Sequence, residues 1–245
     1  MKDPGLFIES IRFLRDATLE RLQSFNTTTC LVTSVLPRQG KSLVAMSLAR
    51  AIARAGRKTL FVEFDLRQPT GSSLAKQAPP SAGIAAVLEG RAVVRDVVIR
   101  DDSTGLDMLL AETHAASALD CLTTGRLKKL FVDIRGEYEA IIIDSPPVGI
   151  VSDALALACF ADETLVVAKD GDSSIEELRR GVRLLRDSGA LVAGLVLTSV
   201  DPNDMSSVDR KTRDQYVMGV PENVLLNVSR ANVPAAAELE TAGYR

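Results

Sequence analysis

The chain of 245 residues has no tryptophan, a single histidine, three cysteines and no long apolar run, and each scarcity removes a class of function. With aromatic residues at 4% there is too little ring surface for stacked bases. A net charge of −3 argues against any general affinity for nucleic acid. His114 alone cannot build a multi-histidine metal centre. Cys30, Cys121 and Cys159 are widely spaced in apolar contexts and form no C-x-x-C pair, so buried thiols in a reducing compartment are expected. No apolar stretch approaches the ~20 residues of a membrane span. The first residues, Met-Lys-Asp-Pro-Gly, have no signal-peptide pattern. A cytoplasmic location is expected, with any membrane connection made through a partner.

What is present is an ordinary globular composition, 46% hydrophobic and 25% charged, in a chain long enough to bury the core of one α/β domain. Residues 7–23 show helical spacing through Phe7, Ile8, Ile11, Leu14, Leu19 and Leu22. Strands and helices then alternate. Strands are predicted at 29–34, 59–64, 107–110, 140–144, 164–168 and 191–197, and helices at 42–55, 84–89, 92–98, 117–135, 152–160 and 174–187. Runs such as Ala140-Ile141-Ile142-Ile143 and Thr164-Leu165-Val166-Val167-Ala168 lack polar alternation. Such strands are buried on both faces, which predicts a doubly wound, mostly parallel sheet between helical layers. Residues 69–83 read as a loop, and the pattern weakens from 201 onward. The expected organisation is an N-terminal helix in 1–26, one domain in 27–201 and a tail or extra element in 202–245.

The chemistry concentrates at three strand ends. Ser34-Val35-Leu36-Pro37-Arg38-Gln39-Gly40-Lys41-Ser42 lies between an apolar strand and an amphipathic helix. A strand, a tight loop and a helix start aim backbone N–H groups and the positive end of the helix dipole at one point, which suits phosphate. Lys41 would add a cation for the β- and γ-phosphates, and Ser42 a hydroxyl for Mg²⁺. The strict pattern asks for glycine at position 35, where this chain has valine. The second strand ends in Glu63-Phe64-Asp65, whose acids share one side of an extended chain. They suit the same cleft, although strand-end charges or a helix cap would use the same residues. Asp144 closes the Ile141-Ile142-Ile143 strand before Ser-Pro-Pro. It can hold Mg²⁺ opposite Ser42 or simply start a turn.

These motifs, with Leu66-Arg67-Gln68-Pro69, Gly83-Ile84-Ala85-Ala86-Val87-Leu88-Glu89-Gly90 and Val151-Ser152-Asp153-Ala154-Leu155, resemble the bacterial tyrosine kinases. The resemblance covers roughly residues 5–201. It implies a P-loop NTPase fold of the MinD/ParA-like branch, binding ATP or ADP with Mg²⁺. The implied activity is tyrosine autophosphorylation that regulates exopolysaccharide or capsule polymerisation and export, through a polysaccharide co-polymerase of the inner membrane. On this resemblance Pro37, Arg38, Gln39, Gly40, Lys41, Ser42, Leu43 and Arg67 bind the cofactor, and Ser42, Asp65 and Asp144 hold the metal. Lys41, Glu63, Asp65 and Asp144 carry the reaction. Glu9, Arg12 and Arg15 match the E-x-x-R-x-x-R motif through which family members form rings; alone, that trio also reads as a solvated helix stripe.

The chain departs from the family in three places. Family members carry Asp-x-Asp where Glu63-Phe64-Asp65 stands, and Asn near position 198, where this chain has Thr198-Ser199. They end in a tyrosine cluster, whereas only Tyr216 and Tyr244 lie late here, leaving Tyr244 and then Tyr216 as candidate phosphoacceptors. An ATP-binding assembly module that switches a membrane partner without phosphorylating tyrosine is the alternative. The partition ATPases of the same fold fit less well, because their second loop lysine is replaced by Leu36.

Overall fold

A computed structural model describes residues 4–21, 28–112, 119–120, 122–200 and 227–228. In chain order the elements are α1 (Pro4–Arg21), β1 (Thr28–Ser34), α2 (Lys41–Arg54), β2 (Thr59–Glu63), α3 (Gly71–Ala75), α4 (Ile84–Glu89), α5 (Val94–Val97) and β3 (Ile99–Asp101). These are followed by β4 (Leu106–Leu109), α6 (Thr124–Arg135), β5 (Ala140–Asp144), α7 (Asp153–Ala158), β6 (Glu163–Lys169), α8 (Ile175–Asp187), β7 (Val192–Thr198) and β8 (Asn227–Val228).

The strands form one sheet in the order β3-β4-β2-β5-β1-β6-β7-β8. The six from β4 to β7 run parallel, and the short edges β3 and β8 are antiparallel. Alternation along each strand divides the core between two faces. Leu31, Ile141 and Ile143 point to one face and pack with Ile84, Leu127, Phe131, Leu157 and Leu185 of α4, α6, α7 and α8. Cys30, Val32 and Ile142 point to the other, against Val44, Met46, Leu48 and Ile52 of α2 and Ile11 and Leu14 of α1. Each such buried aliphatic side chain contributes about 1.5–3 kcal/mol through loss of hydrated surface. Because strands at the centre meet helices on both sides, every position in β1, β2 and β5 is buried. This explains their unbroken apolar reading.

The six central strands follow the sequence expectation. The edges β3 and β8, of three and two residues, were not anticipated, because strands that short carry no periodicity. Residues 69–83 were expected to be a loop, yet contain the five-residue helix α3. Helix α6 begins only at Thr124, and the four-residue α5 is shorter than its apolar spacing suggested. Strand β1 lies where the winding direction reverses, with β5 and β2 on one side and β6 and β7 on the other. In open α/β sheets ligands bind outside the carboxyl ends of the strands at such a point.

Candidate functional site

The phosphate-type loop leaves β1 at Ser34, whose hydroxyl donates to the Leu36 carbonyl at 2.7 Å. It turns into α2 through Arg38 (φ 58°) and Gly40 (φ 86°). The second of these left-handed conformations suits glycine, which meets no Cβ penalty there. Gly40 is the N-cap of α2 and makes no side-chain cap hydrogen bond, so the first-turn amides have no side-chain partner from the cap. Lys41 and Ser42 open the helix.

Across the cleft, Asp65 just beyond β2 and Asp144 at the end of β5 face this loop. The Lys41 ammonium lies 2.7 Å from Asp65 Oδ2, 3.8 Å from Asp144 Oδ1 and 3.2 Å from the Ser42 hydroxyl. Asp144 is fully buried, and neither of its oxygens completes a hydrogen bond. Its carboxyl is pushed up to about 7, chiefly by burial. The nearby Lys41 charge and Ser42 hydroxyl act in the opposite direction, while Glu63 and Asp65 reinforce the rise. An orphaned, buried carboxylate beside a helix-start hydroxyl and a second carboxylate is a hard oxygen donor set, which fits Mg²⁺ completed by phosphate oxygens. The site therefore brings together Lys41, Ser42, Asp65 and Asp144.

A family model described as an AAA domain matches residues 39–187. The chain belongs to this AAA-domain family. Among curated relatives, EpsB of Ralstonia nicotianae is 31% identical over 202 residues, covering 82% of this chain and 26% of that protein. CpsD of Streptococcus pneumoniae, a tyrosine-protein kinase by name, is 27% identical over 69% of this chain and 75% of its own length. The chain thus spans about a quarter of the length of the first relatives it matches. Among solved structures, the VpsO kinase domain aligns with a TM-score of 0.71 at 28% identity, covering 78% of this chain and 94% of that one. The resemblance to bacterial tyrosine kinases and the P-loop fold are both borne out.

Within this AAA domain, Glu63 does not join Lys41. Its buried carboxylate accepts hydrogen bonds from the amides of Thr70 (2.6 Å) and Gly71 (2.5 Å) through Oε1, and of Ala111 (3.0 Å) through Oε2. Burial pushes its carboxyl up, against the lowering effect of the three amides. Of the two uses open to this residue in the sequence, the cap is the geometry observed. Arg67 pairs with Asp153 at 3.2 Å, on the outer side of the cleft. Gln39 is buried, its side-chain amide donating to Ser173 at 2.6 Å and its backbone carbonyl accepting from the Thr198 hydroxyl at 2.9 Å. Thr198 also lines Gly40, its methyl group 3.4 Å from where a Cβ would stand, an ordinary contact distance. Sequence reasoning noted Thr198 only as a departure and missed this clamp. Its signal, a hydroxyl at the end of the strand flanking β6, is legible only once the strand order is known.

On α1, Glu9 and Arg12 pair at 2.5 Å on the exposed face, and Arg15 pairs with Asp16 at 2.8 Å. Cys30 is buried as expected, with its thiol pushed up chiefly by burial, whereas Cys159 is exposed at the C-cap of α7, its thiol donating to the carbonyls of Leu155 (3.6 Å) and Ser188 (3.7 Å). Tyr138 is buried, with its hydroxyl donating to Asp107 at 3.2 Å. His114, Cys121, Tyr216 and Tyr244 lie outside the described residues.

Proposed function

We propose that this AAA domain is an Mg-ATP-dependent, protein-tyrosine autokinase-like regulator of exopolysaccharide or capsule polymerisation and export. The observation that carries the reading is the buried Asp144 with neither oxygen hydrogen-bonded, set beside Lys41, Ser42 and Asp65 at the mouth of a phosphate-type loop. Loop amides from Pro37 to Leu43 and the Lys41 ammonium would cradle the phosphates. Ser42, Asp65 and Asp144 would hold Mg²⁺, which supplies charge neutralisation when bound. A tyrosine hydroxyl attacks the γ-phosphorus, the bond to the β–γ bridging oxygen breaks, ADP leaves, and the hydroxyl proton passes to Asp65. Little covalent chemistry is asked of the protein beyond positioning and electrostatics. Relatives named as tyrosine-protein kinases support this assignment.

In this reading the domain acts in the cytoplasm, peripheral to the inner membrane through a polysaccharide co-polymerase, and binds no nucleic acid. It associates into a ring through Glu9, Arg12 and Arg15, with Tyr244 or Tyr216 as phosphoacceptor. Among the described residues no helix is long and apolar enough to cross a membrane.

One observation favours the second reading, an ATP-binding assembly module that phosphorylates no tyrosine. The family's first motif acid is here Glu63, engaged by three backbone amides. The two readings separate when pure protein is incubated with Mg²⁺ and γ-labelled ATP, with phosphotyrosine mapped by mass spectrometry. Label on Tyr244 or Tyr216 that disappears in Lys41→Ala is the expected result. Nucleotide binding without phosphotyrosine in the wild type would leave the assembly module.

A further inference from the structure

We infer that Glu63 is a positioning residue: it pins the loop that carries Asp65 and the end of β4 to the phosphate-binding edge, and it is not the base its motif position suggests. The inference rests on the reading of this edge as an Mg-nucleotide site. A base needs an open lone pair and contact with the hydroxyl it deprotonates. Glu63 cannot make that contact, being 0% exposed with both oxygens engaged by backbone N–H groups. Its bonds have a definite topology. Oε1 reaches from residue 63 to the amides of residues 70 and 71, closing a short loop with Asp65 inside it. Oε2 ties that loop to Ala111 beyond β4. Asp65 in turn accepts from the Gln68 amide at 3.2 Å and meets Lys41 at 2.7 Å. The carboxylate facing Lys41 is therefore held by a loop whose two ends Glu63 joins.

Two features show that the neighbourhood is built around this carboxylate. A Cβ at Gly71 would lie 2.8 Å from Glu63 Oε2 and 2.8 Å from Leu110 Cδ2, so only glycine leaves room for Glu63 where α3 begins. One element further, Glu112 does the same for α4, accepting from the Ala85 (3.0 Å) and Ala86 (2.8 Å) amides. Buried carboxylates thus anchor successive segments to the end of β4. The methylene that distinguishes glutamate from aspartate supplies the reach. An aspartate at 63, one methylene shorter, would stop short of all three amides.

The test uses the full chain as wild type, Glu63→Gln, Gly71→Ala and Asp65→Asn. Two readouts are taken: amide hydrogen exchange at residues 70, 71 and 111, and KM for Mg-ATP against kcat. Glu63→Gln replaces one acceptor with a donor, and Gly71→Ala keeps the carboxylate but displaces it. Both should lose about tenfold protection at these amides and raise KM about tenfold, with kcat within tenfold of wild type. Asp65→Asn should lower kcat at least ~100-fold, with protection unchanged. Native protection and native KM in Glu63→Gln, with kcat down at least ~100-fold, would overturn the inference and make Glu63 the base. Should Glu63→Gln fail to fold, Gly71→Ala decides alone, and native protection with native KM there overturns the lock. Absence of all turnover in the wild type would sink the phosphoryl-transfer reading instead. Exchange and nucleotide dissociation constants would still decide the role of Glu63.

Discussion

Asp144 shows how a single residue trades stability for a site. A carboxylate with no exposure and no completed hydrogen bond is costly to keep charged. Raised to about 7 in the folded protein, it binds its proton more tightly than it would in the unfolded chain. The folded state therefore holds more protons than the unfolded state between about pH 4 and 7. The stabilisation from this protonated form is complete at the acid end of the window and is lost as pH rises through about 7. Asp144→Asn removes the ionisation while keeping the shape. The nucleotide-free variant should match wild type near pH 4, at the acid end of the window, and exceed it by roughly 1–4 kcal/mol at pH 8, as read from urea unfolding at both values. Its nucleotide-dependent stabilisation in Mg²⁺ should fall at the same time. A variant no more stable than wild type at pH 8 would mean that Asp144 carries no such penalty. At this scale the sequence was informative wherever local rules decide: Gly40-Lys41-Ser42 at a helix start, and acids at the ends of apolar strands. It left Glu63 open because residues 70, 71 and 111 decide where that side chain points, and no spacing within β2 encodes them.

At the scale of elements, the missing glycine at position 35 has a packing explanation. Val35 is 4% exposed and sits between the β5–α7 turn and α8. A Cβ on Gly149 would lie 2.4 Å from the Val35 carbonyl oxygen, and one on Gly181 would lie 2.5 Å from Val35 Cγ2. The volume added where the loop begins is thus matched at Gly181, while Gly149 makes room for the backbone carbonyl of residue 35. Glycine within α8 is otherwise unfavourable, since alanine is better in a helix interior by about 1 kcal/mol. Gly181→Ala should nevertheless destabilise the protein, by about 1–3 kcal/mol, because it overpacks against Val35. Adding Val35→Ala should return most of that loss, giving a favourable coupling in a double-mutant cycle measured by denaturant unfolding. A stabilised Gly181→Ala would refute the packing account. The pattern of β1, β5 and β6 was legible because these strands are buried on both faces and read as apolar without interruption. The compensation at Gly181 was hidden, since it depends on which helix crosses the loop.

For the whole molecule, the six central strands followed from their short apolar runs, while the two edges depend on pairing that short segments do not advertise. The unsettled level is association. Helix α1 buries Ile11 and Leu14 toward α2 and leaves Glu9 and Arg12 paired on its outer face, with side chains 50% and 56% exposed. An exposed pair three residues apart stabilises a helix by only about 0.2–0.5 kcal/mol, so its value to the single chain is small. In the ring reading the same charges meet a neighbour, where wrong-sign contacts are costly. The exchange variant Glu9→Arg with Arg12→Glu separates these roles, because it keeps an opposite-charge pair within the helix but reverses what a neighbour meets. Folding stability should change by less than about 0.5 kcal/mol. Sedimentation with Mg-ATP at low salt should show wild type above the 26.3 kDa of one chain and the exchange variant at it. The wild-type assembly should also weaken as salt rises, since exposed charges are screened over about 10 Å at 0.1 M. An exchange variant that still assembles would reduce the motif to a solvated stripe and move the search for an interface to another face.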